Sequence, residues 1–261
     1  MELSTYHDYA EELERRARLK TYPLAIRLLR NGEEVPEGMT RPKRDMGCHM
    51  SLCQAFEMSR RDGTPMAMLR EDMWCPEPVI GFGLQEAPDY FMEGHNRYPR
   101  DVSSPEAGQA YAEELPKLPT GLYAGVLSAP LHSTPFEPEV ITIYCIPAQL
   151  SLLLLGHEYK DGRNVNCDLS SHAACLYGII PVLLNGHAQV AIPCRGDRYS
   201  AMAEDDEMLL SVTPQELEEL IAALQHLETT GSVYPKGYRM HLEYPLPEAY
   251  KKIADMMGYL E

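Results

Sequence analysis

Positive charge is scarce in this sequence. It holds 23 Lys and Arg against 39 Asp and Glu, for a formal net charge of −16. No basic stripe, Arg-rich tail or long run of one charge is present. That deficit argues against a phosphate-tracking surface, and hence against nucleic acid as a main partner. Long apolar runs are also missing. The longest, Leu152–Leu155 with its neighbours, is far too short to span a bilayer. The opening segment MELSTYHDYAEELERR reads as an acid-bearing amphipathic helix without the basic start and apolar core of a signal peptide. The expectation is a soluble, cytoplasmic protein with no membrane partner.

Several familiar catalytic signatures are absent. Gly81-Phe82-Gly83 is not a dinucleotide fingerprint, no Walker-type loop occurs, and no Ser or Cys sits in a nucleophile elbow. Closely spaced cysteine pairs of the Cys-x2-Cys kind are missing too. What is present is an ordinary globular composition, with 44% apolar and 24% charged residues over 261 positions, enough for a substantial core. Seven cysteines accompany it. In a reducing compartment they are poor disulfide candidates, and an odd number fits a disulfide set badly. Metal ligands, reactive thiols and buried core residues remain.

The periodicities alternate strand and helix. A first helix is expected from a Ser4 cap to about Lys20, then a strand over Leu24–Leu29 and a helix from about Asp45 to Arg61. Strands are expected at 65–69, 123–129, 140–146, 164–169, 188–192 and 208–212. Helices are expected at 105–115 and 149–155, and from a Ser171 cap to Asn185-Gly186. Thr213-Pro214-Gln215-Glu216 is a strong helix start, with Leu217, Leu220, Ile221, Leu224 and Leu227 as the apolar face. A last helix is expected over about 247–257. This alternation predicts one α/β domain over 1–261 with a parallel or mixed sheet flanked by helices.

Two stretches share a plan of cysteine, helix, turn, strand, cysteine: Cys53-x21-Cys75 and Cys175-x18-Cys194. Cys53 and Cys175 fall near helix starts, and Cys75 and Cys194 just past strand ends. In an open α/β sheet a helix that follows a strand starts near that strand's carboxyl end, so all four can lie along the same edge, where such folds place ligands. Four thiolates there suit a tetrahedral zinc or a cubane cluster. Structural zinc sites bring ligands in tight local pairs, which this chain lacks, whereas cluster ligands can be scattered. The favoured cofactor is therefore one [4Fe–4S] cluster, with zinc as the alternative.

Cys48 and Cys167 are second-choice ligands. Cys145, in the apolar ITIYCI, reads as core. His172 shares a helix face with Cys175 and reads as a cap or surface residue. Trp74 adjoins Cys75 and reads either as a shield or as core. Arg195 and Arg198 flank Cys194 and are candidates for binding an anionic substrate. Glu204–Glu207 reads as a solvated loop.

The chain also resembles the archaeal conserved region (ArCR) family, domain of unknown function 169, found in archaea and anaerobic bacteria. The matching pieces are Pro23-Leu24-Ala25-Ile26-Arg27-Leu28, Cys53-Gln54, Cys75, Phe136-Glu137-Pro138-Glu139-Val140, Cys175, Cys194-x-Gly196-x-Arg198 and Asp206-Glu207-Met208. They span roughly residues 5–228 and leave the tail, 232–261, outside. The resemblance implies the same four cysteines and specifies no activity.

The expected function is a cysteine-ligated metalloprotein with a redox or Lewis-acid role on a small molecule in anaerobic metabolism, as an oxidoreductase or lyase. The alternative is a sensor or binding module with a structural metal. A redox partner is a further expectation. The Tyr/Pro-rich tail, with Tyr234, Tyr238, Tyr244 and Tyr250, suggests a homodimer interface.

Overall fold

A computed structural model describes residues 2–165, 167, 169–235 and 246–258. Strands β1 (Leu24–Arg30), β2 (Met66–Leu69), β3 (Tyr123–Pro130), β4 (Val140–Cys145), β5 (Gln189–Ala191) and β6 (Met208–Val212) form one sheet in the order β2-β3-β1-β4-β6-β5. Every pairing between these strands is antiparallel, which corrects the expectation of a parallel or mixed sheet. The physical reason lies in burial. Helices cover both faces, so β4 is buried at every position. A strand buried on both faces reads as a continuous apolar run, as parallel strands do, and such a run carries no information on direction.

Helices α1 (Leu3–Ala17), α6 (Pro147–Glu158) and α9 (Pro214–Thr229) pack on one face, against Ala25, Leu127, Ile141, Ile143 and Cys145. Helix α9 begins with the expected Thr213–Glu216 capping box and buries the five apolar positions named from the sequence. The other face carries α2 (Leu52–Glu57), α3 (Pro76–Gly81), α4 (Asp89–Met92), α5 (Pro105–Glu114) and α7 (Ala174–Asn185) over Leu24, Ile26, Met68, Tyr144 and Leu209. The short α8 (Arg195–Ser200) lies beside α2. Helix α10 (Glu248–Met257) leaves Tyr250, Ile253, Met256 and Met257 exposed.

Other expectations shift locally. Glu2, not Ser4, stands at the start of α1, and α1 ends at Ala17 because Arg18 turns left-handed. The helix expected over 45–61 is broken. A π turn at Pro42–Met46 ends at left-handed Gly47, α2 starts only after a Ser51 capping box, and a second π turn covers Met58–Asp62. The described residues near 164–169 form no strand; Asn166 and Asp168 lie outside the description. Helix α7 starts at Ala174 behind a left-handed Ala173, without a Ser171 cap.

Glu207, expected in a solvated loop, is 3% exposed. It accepts a fork of hydrogen bonds from Arg60 Nη1 and Nη2, at 2.7 and 3.0 Å. Arg60 is 1% exposed and lies with its guanidinium 4.0 Å from the Tyr144 ring centroid. Removing one partner of such a pair leaves a buried charge without compensation. Glu207→Ala is therefore expected to destabilise the fold by about 3–5 kcal/mol. Glu204→Ala, at a partly exposed ion pair with Lys20, should cost less than about 1 kcal/mol. Urea unfolding of both variants measures the difference.

His157 on α6 hydrogen-bonds Glu216 of α9 at 3.3 Å. This bond raises the His157 pKa above its ordinary 6.5. Burial opposes ionisation of Glu216, but hydrogen bonds from His157 and the Thr213 and Ala188 amides hold its pKa below 4.5. The raised histidine contributes stability that is full below pH 6.5 and fades as pH rises through the folded pKa. The depressed carboxyl contributes stability that is full above pH 4.5 and fades as pH falls through its folded pKa. The melting-temperature gap between wild type and Glu216→Gln, which keeps a capping side chain, should be widest between about pH 4.5 and 6.5 and narrower on either side.

Candidate metal centre

Cys53, Cys75, Cys175 and Cys194 line one cavity of about 310 Å³. The shared carboxyl edge argued from a parallel sheet is not what unites them, since β2 and β5 run in opposite directions. The chain instead doubles back after β2. A 3-10 turn at Arg70–Asp72 leads to Met73, which bridges Met50, and the Trp74 amide donates to the Met50 carbonyl at 3.1 Å. Cys75 thereby arrives near Ser51, the cap of α2, whose second residue is Cys53. Cys75 itself stands at the start of α3, followed by Pro76. Helix α3 then packs closely on α7. A Cβ on Gly81 would lie 2.4 Å from a methyl carbon of Leu176, the residue after Cys175, so any larger residue there would oblige the Leu176 side chain to shift.

Cys53, Cys175 and Cys194 are buried and Cys75 is half-buried. Cys53 hydrogen-bonds both Cys175 and Cys194, and these bonds together with burial keep it a thiol, with its pKa well above the ordinary value. Cys194 shifts the other way, to about 6. The hydrogen bond from Cys53 is the main cause; burial opposes it, and the backbone amides of Ala174, Asp197 and Gly196 add to the lowering. The Asp197 amide lies 3.4 Å from its sulfur. Amides converging from the start of α7 and from α8 are the environment that a metal-bound thiolate requires. Burial pushes the Cys75 thiol up, assisted by the charge of Glu77.

A buried polar post stands behind Cys194. The Tyr144 hydroxyl donates to Asp197 Oδ2 at 3.2 Å, and Tyr144 carries Arg60 on its ring. Burial, then the neighbouring Cys194, pushes the Asp197 carboxyl up to about 7. This acid beside a thiol is invisible in the sequence, because the motif Cys-x-x-Asp reads as a charged turn.

The cavity wall facing Cys75 is cationic. Arg97, 6% exposed, donates to Glu77 Oε1 at 2.6 Å, Asp101 Oδ2 at 3.0 Å and the Tyr111 hydroxyl at 2.9 Å. It also lies 3.2 Å from His172 Nδ1. Its buried Nε has no hydrogen-bond partner among the described residues. A tight crossing holds the segment in place. A Cβ on Gly108 of α5 would lie 2.3 Å from the Gly94 carbonyl oxygen. Arg100 and Arg195 stand at the mouth, both pairing with Asp101, and Trp74 and Tyr199 are exposed beside them.

Several sequence expectations find their places here. Arg195 lines the cavity, but Arg198 does not. Its Nη1 donates to the Glu204 carbonyl at 2.6 Å and secures the following loop. His172, read as a surface or capping residue, faces the cavity on Arg97. Cys145 is buried on the opposite face of the sheet. Cys48 is half-buried outside the cavity lining, and Cys167 is exposed. Glu77, Arg97, Arg100 and Asp101 were missed. The one available signal was the density of charge in a Gly- and Pro-rich segment too long to be a plain connection.

The donor set fits a thiolate-ligated group: four sulfurs on one cavity, one of them held by three amides. Among the described residues, no three His, Cys, Asp or Glu side chains are already posed about a common metal position. Cys53 shares hydrogen bonds with Cys175 and Cys194, whereas the Cys75 thiol rests on Glu77. A wider recess of about 750 Å³ between α6, α7 and α9 contains no cysteine, and its His157 and Glu216 are paired with each other.

No solved structure matches the chain. An uncharacterized protein of Methanocaldococcus jannaschii is 22% identical over 232 residues, covering 87% of this chain and 96% of that relative. The model of the uncharacterised ArCR proteins, domain of unknown function 169, matches residues 12–223. Since that match takes in the sheet and all four cavity cysteines, the chain belongs to the ArCR family.

Proposed function

We propose that Cys53, Cys75, Cys175 and Cys194 hold one [4Fe–4S] cluster, and that the protein acts on a small molecule by redox or Lewis-acid chemistry in a reducing, cytoplasmic setting. The observation that carries this reading is the convergence on one cavity of four cysteines that lie far apart in sequence. Such a cluster supplies one-electron transfer when fully ligated, and an electrophilic iron when one position is open.

The chain's own residues fit the small-molecule part. Arg97, Arg100, Arg195 and His172 present hydrogen-bond donors on the cavity wall, suited to a carboxylate or phosphate. Asp101 is shared by three of these guanidiniums, so positive charge is left over at the mouth. Trp74 is tethered through its indole N–H to Gln54 Oε1 at 3.1 Å, beside the opening. A purely structural metal would favour a sealed, apolar site. The charged wall and exposed mouth support chemistry over a structural pin.

Anaerobic purification followed by iron and sulfide analysis tests the cofactor. The expected result is a brown protein with about four irons and four sulfides per chain. An iron-free, colourless protein after anaerobic reconstitution would overturn the reading, and stoichiometric zinc would replace the cluster by a structural site. Cys194→Ser should abolish the centre. Cys145→Ser should leave metal content unchanged and cost only about 1 kcal/mol of packing.

We further propose a homodimer formed through the C-terminal region. Tyr238 and Tyr244 lie outside the described residues, so support comes from α10, whose Tyr250, Ile253, Met256 and Met257 are exposed. Light scattering on the full chain and on a chain ending at Gly231 should give a dimer and a monomer. A monomer in both cases rules the dimer out, and a dimer in both places the interface elsewhere.

A further inference from the structure

The cavity treats its four sulfurs unequally. Cys53, Cys175 and Cys194 are buried, and Cys53 hydrogen-bonds to the other two. The backbone amides gathered at the site aim at Cys194. Cys75 stands apart. It is half-buried, and its thiol donates to Glu77 Oε2 at 3.1 Å. The second oxygen of Glu77 is fixed by Arg97 Nη2 at 2.6 Å, so the carboxylate is held in position as a rest for the Cys75 sulfur. Three sulfurs thus sit with hydrogen-bonding neighbours on the inner side of the cavity. The fourth sits beside an anion, on the wall where Arg97 and His172 meet the mouth.

A metal-bound thiolate is stabilised by donors and disfavoured by a neighbouring carboxylate. A bond from such a centre to Cys75 would therefore be the weakest of the four. We propose that Cys75 is the exchangeable corner of the centre, yielding its position to a small anionic ligand that enters past Arg97, His172 and Arg195, while Cys53, Cys175 and Cys194 remain bound. This inference rests on the cluster reading above. Exchange breaks one bond to the Cys75 sulfur, the sulfur takes up a proton from the medium, and no electron is transferred. The freed thiol rests on Glu77, as it does here.

The test compares wild type, Cys75→Ser, Glu77→Gln and Cys194→Ser after anaerobic reconstitution. The readouts are iron and sulfide content and the low-temperature paramagnetic spectrum of the reduced protein. Cys75→Ser should keep wild-type iron to within about one iron per chain and show an altered spectrum, whereas Cys194→Ser should lose nearly all of its iron. Glu77→Gln, which removes the anion and keeps all four sulfurs, should retain full iron and slow severalfold the loss of the first iron to a chelator. Equal iron loss in Cys75→Ser and Cys194→Ser, from a loaded wild type, overturns the exchangeable corner while sparing the cluster. So does a Cys75→Ser spectrum identical to wild type, or an unchanged or faster loss of the first iron in Glu77→Gln. An iron-free wild type is a different result, and it overturns the cluster and the corner together.

Discussion

The site depends on a column of buried polar groups running from the start of β6 to the cysteines. Glu207, just before β6, receives both arms of the Arg60 guanidinium. Arg60 lies on the face of Tyr144, the Tyr144 hydroxyl donates to Asp197, and the Asp197 amide donates to Cys194. Each member would be costly alone in an apolar interior, and each is satisfied by the next. The column links α2 and its π extension to β4, β6 and α8, so the helix carrying Cys53 and the turn carrying Cys194 are held to one reference frame. Polar networks of this kind favour one arrangement over near alternatives, because a slip of either element would strand a buried charge.

Around that column the cavity separates two electrical tasks. Its inner side concentrates hydrogen-bond donors on sulfur, which favours negative charge at Cys194. Its outer wall is built on Arg97, buried yet held by Glu77, Asp101, Tyr111 and His172. A chain with a net charge of −16 thus presents guanidinium groups at an opening that leads to its thiols. Local placement, not overall balance, decides what such an opening attracts. The long segment between α3 and β3 supplies this wall and is anchored by the Gly94–Gly108 crossing.

The sequence by itself determined six of the seven expected strands and the long helices, and it singled out four cysteines that share one cavity. Apolar runs such as LAIRLL and ITIYCI, and the capped helix from Pro214, are local signals whose cause is local: burial periodicity and the satisfaction of end amides. The cysteines stood out because an odd number of thiols makes a poor disulfide set. The tertiary structure alone decided the rest. Strand direction follows from how connections return, and an apolar run buried on both sides does not encode it. The placement of Cys75 depends on the pairing of Asp72, Met73 and Trp74 with Met50. The pairing of Arg60 with Glu207 spans 147 residues, and that of Arg97 with His172 spans 75. In a linear reading those residues are ordinary surface charges, since only burial and a partner brought from a distant segment turn a charge into part of a site.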